Sequence, residues 1–477
     1  MKDRDEEDVP RAVQNNNHGS FVAGLLANAR RFNHNDLRFP NTPARIVDVV
    51  AMPADAGITE DDLLDIIRRA LTKYPKVRVW NLSISNVRSV CQNDAFSDFA
   101  MALDELQDKH KVTFVICAGN YVCQPLRGWP PGDLGEGDRI FPPADSVRAL
   151  TVGSLAHYHQ ADSRVKSEEP SPFSRRGPGP AFIPKPEVCH YGGNCTADLD
   201  FSQVGILSVD ARGNVAEDIG TSFSTPIVAS LLAHVYEGVA DPVSTNLAKA
   251  LVVHSAALQS DSVDAQTLKY RGFGVPREVA DMLTCTPWQA TLVFQPQLPP
   301  DRRIFNPRID FPIPKCFRRA DGKVEGEFLM TLVYDPPLGR GAGAEYCRVN
   351  VDVSLGTYDI RSRSGKREHK GLIPPEPADV GKLYEEYQVK HGFKWSPVKV
   401  YRKRLCRVEG KAWRLQIRVL YRDKQDLRRP QNVALVLTMF DPTRQKPVYD
   451  DVVASMRQLG WVTQDLRVHG RVRGIIR

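Results

Sequence analysis

Alternating strand and helix segments are the feature of this sequence that most constrains its fold. Residues 44–52 and 112–117 are typical of buried strands, since apolar residues dominate both runs. Residues 59–71 instead show a helical pattern, in which Thr59 can cap a helix whose apolar residues recur on one face. Such pairs recur over residues 1–285. This alternation predicts an α/β domain with a parallel sheet covered by helices on both faces.

The pattern changes after residue 285. Helical signal becomes scarce there, apart from a short segment near residues 379–387. Runs with alternating or β-rich composition replace it, at residues 290–294, 327–334, 345–355, 396–403, 413–421 and 432–440. We therefore expect residues 286–477 to form an all-β domain of the sandwich or jelly-roll kind.

Three short motifs occur in a fixed order in the first part of the chain. His18 begins the run HGSFVAG, Asn120 ends VICAGN, and Ser222 lies within GTSFSTP. A base, an oxyanion donor and a nucleophile are the groups that peptide-bond hydrolysis by a serine requires. Each motif alone has a plainer interpretation, as a histidine at a helix start, a turn asparagine and a capped helix start.

The order and the flanking residues of the motifs weaken these plainer interpretations together. With them, the chain resembles the subtilase (subtilisin-like) serine peptidase family over about residues 15–285. Four further segments support the resemblance: WNLSIS at 80–85, PFSRRGP at 172–178, KPEV at 185–188 and GFGV at 272–275. The family resemblance implies a subtilisin-like domain of three layers, with its sheet in the middle.

The resemblance implies a role for each catalytic motif. Ser222 would be the nucleophile and His18 the general base. Asn120 and the backbone N–H of Ser222 would form the oxyanion hole. The implied activity is that of a serine endopeptidase with protein or peptide substrates, for which no cofactor or metal is expected.

The substrate-binding residues implied by the resemblance are Ser83, Ser85 and Gly119. Ser83 would contact the substrate backbone. Ser85 stands where the family often has glycine, which predicts a narrower or more polar pocket beside it. The Pro- and Gly-rich loop at residues 121–143 follows the oxyanion asparagine and is expected to shape this pocket.

The family also uses an aspartate that orients the histidine and closes a strand tens of residues before it. Only seventeen residues precede His18, and none forms an apolar strand that ends in aspartate. Asp3, Asp5 and Asp8 lie in a polar segment, where solvated charges are expected. Three explanations stay open: an amino-terminal truncation of an active protease, which we favour, a degenerate protease used for binding, or a carboxylate from elsewhere, such as a partner chain.

Charge is distributed unevenly along the chain. Residues 301–477 contain 36 Lys and Arg against 21 Asp and Glu, whereas the remainder has an acidic excess. Basic clusters at residues 361–370, 399–407 and 422–429 would suit nucleic acid or an acidic protein surface, but solvated strand and loop charge is the favoured interpretation. A separate AAA-type ATPase is a further candidate partner, implied by similarity to intracellular subtilases with a β-rich tail.

Composition bears on the location of the protein. No run approaches the roughly 20 apolar residues that span a membrane, so no membrane contact is expected. The acidic, polar residues 1–8 do not resemble a signal peptide. The nine cysteines are scattered and include no Cys-x-x-Cys pair. These features together predict a cytoplasmic protein.

Overall fold

The computed structural model divides the chain into two compact units. The first consists of Met1–Tyr236, Ser255–Val279 and Arg340–Tyr346, and the second of Glu237–His254, Ala280–Gly339 and Cys347–Arg477. The structure describes residues 3–6, 8–10, 14, 16–53, 57–132, 135–240, 243–260, 264–300, 304–305, 310–360, 365, 367–374, 385–423, 430–461 and 466. The sequence predicts a single break between residues 285 and 286, whereas each unit is assembled from three segments.

A four-stranded parallel sheet lies at the centre of the first unit. The strands of this unit are β1 (Asp3–Asp5), β2 (Val47–Val49), β3 (Val79–Leu82), β4 (Thr113–Cys117), β5 (Leu150–Leu155), β6 (Val188–Tyr191), β7 (Ile206–Val209) and β8 (Val215–Asp218). The sheet has the order β3-β4-β5-β6, while β1 and β2 form a parallel pair and β7 and β8 an antiparallel pair. Every residue of β4, β5 and β6 is buried, as expected when both faces of a sheet are covered.

Helices pack on both faces of this sheet. The helices of the described residues are α1 (Asn17–Phe32), α2 (Glu60–Lys73), α3 (Asp98–His110), α4 (Thr221–Gly238), α5 (Thr245–Gln259), α6 (Ala265–Arg271), α7 (Val279–Met282), α8 (Glu385–Gly392) and α9 (Val448–Gln458). Phe114 and Ile116 of β4 share a core with α2 and α3. Leu155 of β5 and Cys189 of β6 share another with α1 and α4. The predicted three-layer α/β arrangement is confirmed.

The start of α2 follows directly from its sequence. Thr59 precedes the helix, and its Oγ1 accepts a hydrogen bond from the Asp62 N–H at 3.1 Å, as predicted. Such an N-cap stabilises a helix by about 1 kcal/mol. Glu60 and Asp61 place negative charge in the first turn, where the positive end of the helix dipole lies. Local sequence therefore fixes where this helix begins.

The second unit contains two antiparallel sheets that pack as a sandwich. Its strands are β9 (Gln289–Phe294), β10 (Gln297–Leu298), β11 (Ile304–Phe305), β12 (Val324–Tyr334), β13 (Val349–Ile360), β14 (Arg367–Ile373), β15 (Val398–Val408), β16 (Trp413–Tyr421) and β17 (Gln431–Phe440). One sheet has the order β10-β17-β12-β15, with β9 also paired to β17, and the other β11-β16-β13-β14. Alternate residues of β12 and β13, such as Met330 and Val351, enter one shared core. The predicted β-rich domain is confirmed.

The helices of the second unit differ from the sequence prediction. The helix predicted near residues 379–387 is α8, which begins at Glu385, and residues 379–384 lie outside the described part of the chain. The helix α9 is not predicted, although Val448 and Val452 place its apolar face on the sandwich core. Across the described residues, no helix combines the length and the apolar character needed to cross a membrane.

The basic clusters of the second unit are only partly described. Residues 361–364, 366 and 424–429 lie outside the described part of the chain. The cluster at residues 399–407 falls on β15. Its first member, Lys399, is fully buried and paired with Asp352, so the expectation of solvated charge is wrong for this residue.

His254, on α5, is a buried polar residue of the second unit. Its Nδ1 forms a hydrogen bond with Thr331 Oγ1 at 2.9 Å, and its Nε2 forms one with Thr438 Oγ1 at 2.7 Å. These threonines lie on the neighbouring strands β12 and β17, which therefore hold the ring from both nitrogens. Burial lowers the pKa of His254 to about 3, because a charged imidazolium would lose its hydration there.

Acidification is expected to destabilise the second unit through His254. The pKa is about 3 in the folded chain, against 6.5 for a solvated histidine of the unfolded chain, so only the unfolded chain binds the proton between these values. The stabilisation is therefore complete above pH 6.5 and is lost as the pH falls toward 3. Between pH 7 and pH 5 this loss is about 2 kcal/mol. We expect the free energy of unfolding, measured in urea at pH 7 and at pH 5, to fall by about 2 kcal/mol more in the wild type than in His254→Gln. Equal losses would exclude His254 as the source.

Candidate active site

His18 lies in the first turn of α1. Its ring packs on Phe223, with the ring centroids 5.7 Å apart, and Phe223 packs on Phe21 at 4.4 Å. Phe21 and Phe223 are buried in the core between α1 and α4. These contacts place the imidazole beside the residue that follows Ser222, although more than 200 residues separate the two in sequence.

Ser222 lies in the first turn of α4, which begins at Thr221. The hydroxyl of Ser83, just after β3, donates a hydrogen bond to the backbone carbonyl of Ser222 at 2.9 Å. This bond ties the end of β3 to the start of α4. The N–H groups of a first helical turn have no partner within the helix, and the helix dipole adds positive potential there. The segment around Ser222 is therefore suited to stabilise a developing negative charge.

Asn120 follows β4 and is anchored on the residue before Ser222. Its Oδ1 accepts hydrogen bonds from both the N–H and the Oγ1 of Thr221, each at 2.9 Å. The hydroxyl of Thr221 also accepts from the Gly119 N–H at 3.2 Å. Because Oδ1 accepts these bonds, the amide nitrogen of Asn120 is left to donate hydrogen bonds. This nitrogen lies near Gly220, 3.2 Å from the position that a Cβ on Gly220 would occupy. In the described part of the chain this nitrogen has no acceptor.

Ser85 and Cys117 lie side by side near the site. Ser85 Oγ is 3.3 Å from Cys117 Sγ, and the hydroxyl of Ser222 also interacts with this thiol. Burial raises the pKa of Cys117, while the two hydroxyls act against the rise.

No hydrogen bond among the described residues joins the Ser222 hydroxyl to the ring of His18. Sequence reasoning missed Cys117 and Thr221, although both stand inside the motifs that define the site.

Gly119 adopts a backbone conformation that favours glycine, with φ of +96°. A Cβ at this position would lie 2.8 Å from Phe141 Cδ2 and 3.0 Å from Arg175 Cδ. The carbonyl of Gly119 accepts a hydrogen bond from the Arg175 N–H at 3.1 Å. The close approach of these neighbours requires glycine here and fixes the turn that presents Asn120.

The three early aspartates do not meet His18 through any described contact. Asp3 pairs with Val47, and Asp5 with Val49, as the strand β1 lies parallel to β2. Asp5 is only 2% exposed, and its carboxylate pairs with Arg69 and Lys73 of α2. The expectation of a solvated charge is therefore wrong for Asp5, because strand pairing draws it into the protein.

The third aspartate is also engaged by α2. Asp8 pairs with Arg69, the same guanidinium that binds Asp5. Burial of Asp5 is compatible with its charge because two cations of α2 compensate it. Both carboxylates therefore tie the amino-terminal segment to α2.

Asp218 is the carboxylate that acts on His18 in this structure. It ends β8, four residues before Ser222, and pairs with Ile206 of β7. The strand β7 lies against α1, where Ser208 Oγ donates to the Phe21 carbonyl at 2.7 Å. Sequence reasoning missed Asp218, for which the available signal was an acidic residue just before the GTS run.

His18 and Asp218 perturb each other's proton affinity. His18 is exposed as a residue, yet the protein atoms around its ring desolvate it and lower its pKa, while the Asp218 carboxylate acts in the opposite direction. Desolvation likewise raises the pKa of Asp218, and the Ile219 N–H and His18 oppose that rise. The two residues therefore form an electrostatic pair in which each favours the charged form of the other.

Replacement of Gly119 by alanine is expected to destabilise the first unit. Positive φ costs an L-residue about 1–2 kcal/mol, and the clash with Phe141 adds about 1–3 kcal/mol. Gly135 offers a matched control, because its φ is also positive (+61°) but a Cβ there meets nothing within 4 Å. We expect thermal unfolding to show a larger loss for Gly119→Ala than for Gly135→Ala. Equal losses of thermal stability in the two variants would show that Phe141 and Arg175 move aside without destabilising the protein.

Comparison with known proteins identifies one family of sequences. The model of the family Peptidase_S8, described as the subtilase family, matches residues 1–274. A relative, the uncharacterized protein y4bN of Sinorhizobium fredii, is 26% identical over 330 residues, which cover 61% of this chain and 74% of that protein. The family match spans the residues from β1 through Gly274 of the GFGV segment.

Two solved structures are similar to the same part of the chain. The prenylagaramide maturation protease PagA is 18% identical, with a TM-score of 0.37 over 56% of this chain and 80% of that one. Sphericase is 19% identical, with a TM-score of 0.39 over 56% of this chain and 78% of that one.

Proposed function

The chain belongs to the subtilase family, and we propose that it is a serine endopeptidase with Ser222 as nucleophile, His18 as general base and Asn120 as oxyanion donor. The observation that carries this proposal is the anchoring of Asn120 on Thr221 through two hydrogen bonds. That anchoring orients the amide N–H groups toward the segment that holds Ser222. The family membership supports a serine peptidase at a general level, and the residue roles are our assignment.

The proposed reaction begins with proton transfer from Ser222 to His18. The Ser222 oxygen attacks the carbonyl carbon of the substrate, and its proton passes to the imidazole. Negative charge then develops on the carbonyl oxygen. The Asn120 amide and the Ser222 N–H would donate to that oxygen, and one such donor contributes about 2.7–4 kcal/mol to catalysis. His18 afterwards donates the proton to the leaving amine.

The position of the Ser222 hydroxyl is compatible with this role. It interacts with Cys117, whereas His18 lies across Phe223. Catalytic hydrogen bonds are often long or poorly aligned until substrate is bound.

Asp218 would supply the negative charge that supports the imidazolium form of His18. Removal of the orienting aspartate in subtilisin lowers kcat by about 3 × 10⁴-fold, less than removal of the serine or the histidine. Among the described residues, Asp218 is the carboxylate whose charge acts on the ring of His18. We assign Asp218 as a positioning residue, because it acts through His18 and not on the substrate.

A catalytically impaired protein that binds peptides or assists assembly is the second candidate function. The observation that favours it is the pairing of Asp5 with Arg69 and Lys73, which engages this carboxylate with α2. Such a protein would bind peptides but turn over substrate poorly. Reactivity of Ser222 distinguishes the two functions.

Fluorophosphonate labelling tests the nucleophile. We expect the wild-type chain to be labelled at Ser222, and Ser222→Ala and His18→Ala to lose the label, because the probe requires a serine activated by a base. In subtilisin, loss of either residue lowers kcat by about 10⁶-fold. Ser89→Ala is the matched control, since Ser89 is exposed and lies outside the site. A folded wild-type protein without label would favour the impaired protein.

The pH dependence of kcat/KM tests Asp218. His18 must be neutral to act as base, so activity rises with pH through its pKa. Asp218 raises that pKa, so Asp218→Asn should shift the acid limb of the profile to lower pH. Glu217→Gln is the control, because the Glu217 carboxylate accepts from the Gln203 and Gly205 N–H groups. An unchanged acid limb in Asp218→Asn would exclude its electrostatic role.

A further inference from the structure

Lys399, Asn350 and Asp352 form a polar cluster between the strands β13 and β15 of the second unit. Lys399 belongs to β15 in one sheet, whereas Asn350 and Asp352 belong to β13 in the other. The side chain of Lys399 is 0% exposed and Asn350 is 1% exposed. An ammonium group buried to this degree is costly unless it is paired, so the cluster requires a physical explanation.

The hydrogen bonds fix the orientation of the Asn350 amide. Its Oδ1 accepts from Lys399 Nζ at 2.7 Å and from the Trp395 N–H at 2.8 Å. Its Nδ2 donates to Asp352 Oδ2 at 2.7 Å. The opposite orientation would direct an NH₂ group at two donors, and it is excluded on that ground.

Asp352 contacts both the amine and the amide. Its Oδ1 pairs with Lys399 Nζ, and its Oδ2 binds Asn350 Nδ2. One carboxylate is therefore placed to accept a proton from the amine and to deliver one to the amide nitrogen. The Asp352 side chain is 48% exposed, which connects the cluster to solvent at one edge.

The surroundings of Lys399 lower the proton affinity of its amine. Burial lowers the pKa of its amine, and the nearby Lys394 adds to this effect, while Asp352 acts against it. Tyr334, whose ring centroid lies 6.0 Å from Nζ, is itself buried, as is Trp395. A neutral amine is a nucleophile, whereas an ammonium is not.

From this juxtaposition we propose that Lys399 and Asn350 become joined by an intramolecular isopeptide bond, with Asp352 as the proton carrier. The Nζ atom is 2.7 Å from Oδ1, so with a C=O length of about 1.2 Å it lies no more than about 3.9 Å from the carbonyl carbon. Reactive approaches have the two atoms about 3–3.5 Å apart. A small movement of the lysine toward the carbonyl carbon reaches that distance. This proposal does not rest on the peptidase activity.

The reaction needs no reagent beyond the three side chains. Lys399 first gives a proton to Asp352, and its free electron pair then forms a bond to the Asn350 carbonyl carbon. The electrons of the C=O bond move to Oδ1, which the Trp395 N–H stabilises. Asp352 protonates Nδ2 and takes the second proton from Nζ. The C–Nδ2 bond then breaks and the C=O bond re-forms, so that ammonia leaves and an amide remains.

The product would connect the two sheets covalently. The bond would join β13 to β15 and close a loop over residues 350–399. It would also convert the buried ammonium of Lys399 into a neutral amide, which removes the cost of its desolvation. We therefore expect the bond to form in the folded protein and not in the unfolded chain, where the three side chains are apart.

Mass spectrometry of the purified full-length chain tests the proposal. We expect an intact mass lower than that of the sequence by one molecule of ammonia. Because a succinimide at any asparagine also loses ammonia, the decisive result is a branched tryptic peptide that contains both Asn350 and Lys399 and is uncleaved after Lys399. Linear peptides alone, after prolonged incubation of the folded protein at neutral pH, would overturn the proposal. A loss of water in place of ammonia would assign the bond to Asp352 and overturn the role of Asn350.

Variants separate the chemistry from the fold. Lys399→Met and Asp352→Asn should each show the full mass expected from the variant sequence, without loss of ammonia. Asp352→Asn still contains both the Lys399 amine and the Asn350 amide. Lys403→Met is the matched control, since Lys403 lies on the same strand but makes no contact with the cluster in the described residues. It should retain the branched peptide. Circular dichroism establishes whether each variant is folded, and formation of the branched peptide in folded Asp352→Asn at the wild-type rate would overturn the role of Asp352.

Discussion

The two hydrogen bonds from Thr221 to the Asn120 side chain hold together the segments on which the candidate site depends. One segment is the end of β4, and the other is the start of α4. Both bonds use the amide oxygen, so the amide nitrogen is left as a donor. Ser83 adds a third tie, from the end of β3 to the carbonyl of Ser222. The parallel sheet makes this convergence possible, because neighbouring parallel strands end at the same edge.

Carboxylates show how strongly surroundings decide the role of a residue. Asp5 and Asp218 both lie on short, partly polar strands, yet Asp5 is enclosed by the cations of α2 and Asp218 lies in the field of His18. The first arrangement stabilises a contact between β1 and α2. The second changes the proton affinity of an imidazole. Neither outcome depends on the residue type, since both are aspartates.

The second unit combines an apolar sandwich with two buried polar clusters. His254 is held neutral between threonines of β12 and β17, whereas Lys399 faces Asn350 and a carboxylate from the opposite sheet. Buried polar groups are tolerated where each has partners. The two clusters differ in consequence: the first has only hydroxyl partners and is structural, while the second brings an amine against an amide carbonyl.

Local sequence patterns determined the element types, because strand alternation, helical periodicity and caps such as Thr59 act over a few residues. They also determined the three motifs, and with them the family and the identity of His18, Asn120 and Ser222 as candidates. Tertiary structure alone decided which side chains meet. The positions of Asp5, Asp218 and Lys399 depend on strand pairing and on packing between elements distant in sequence. No local pattern encodes that choice, since the free energy of a charge is set by the partners that the fold places around it.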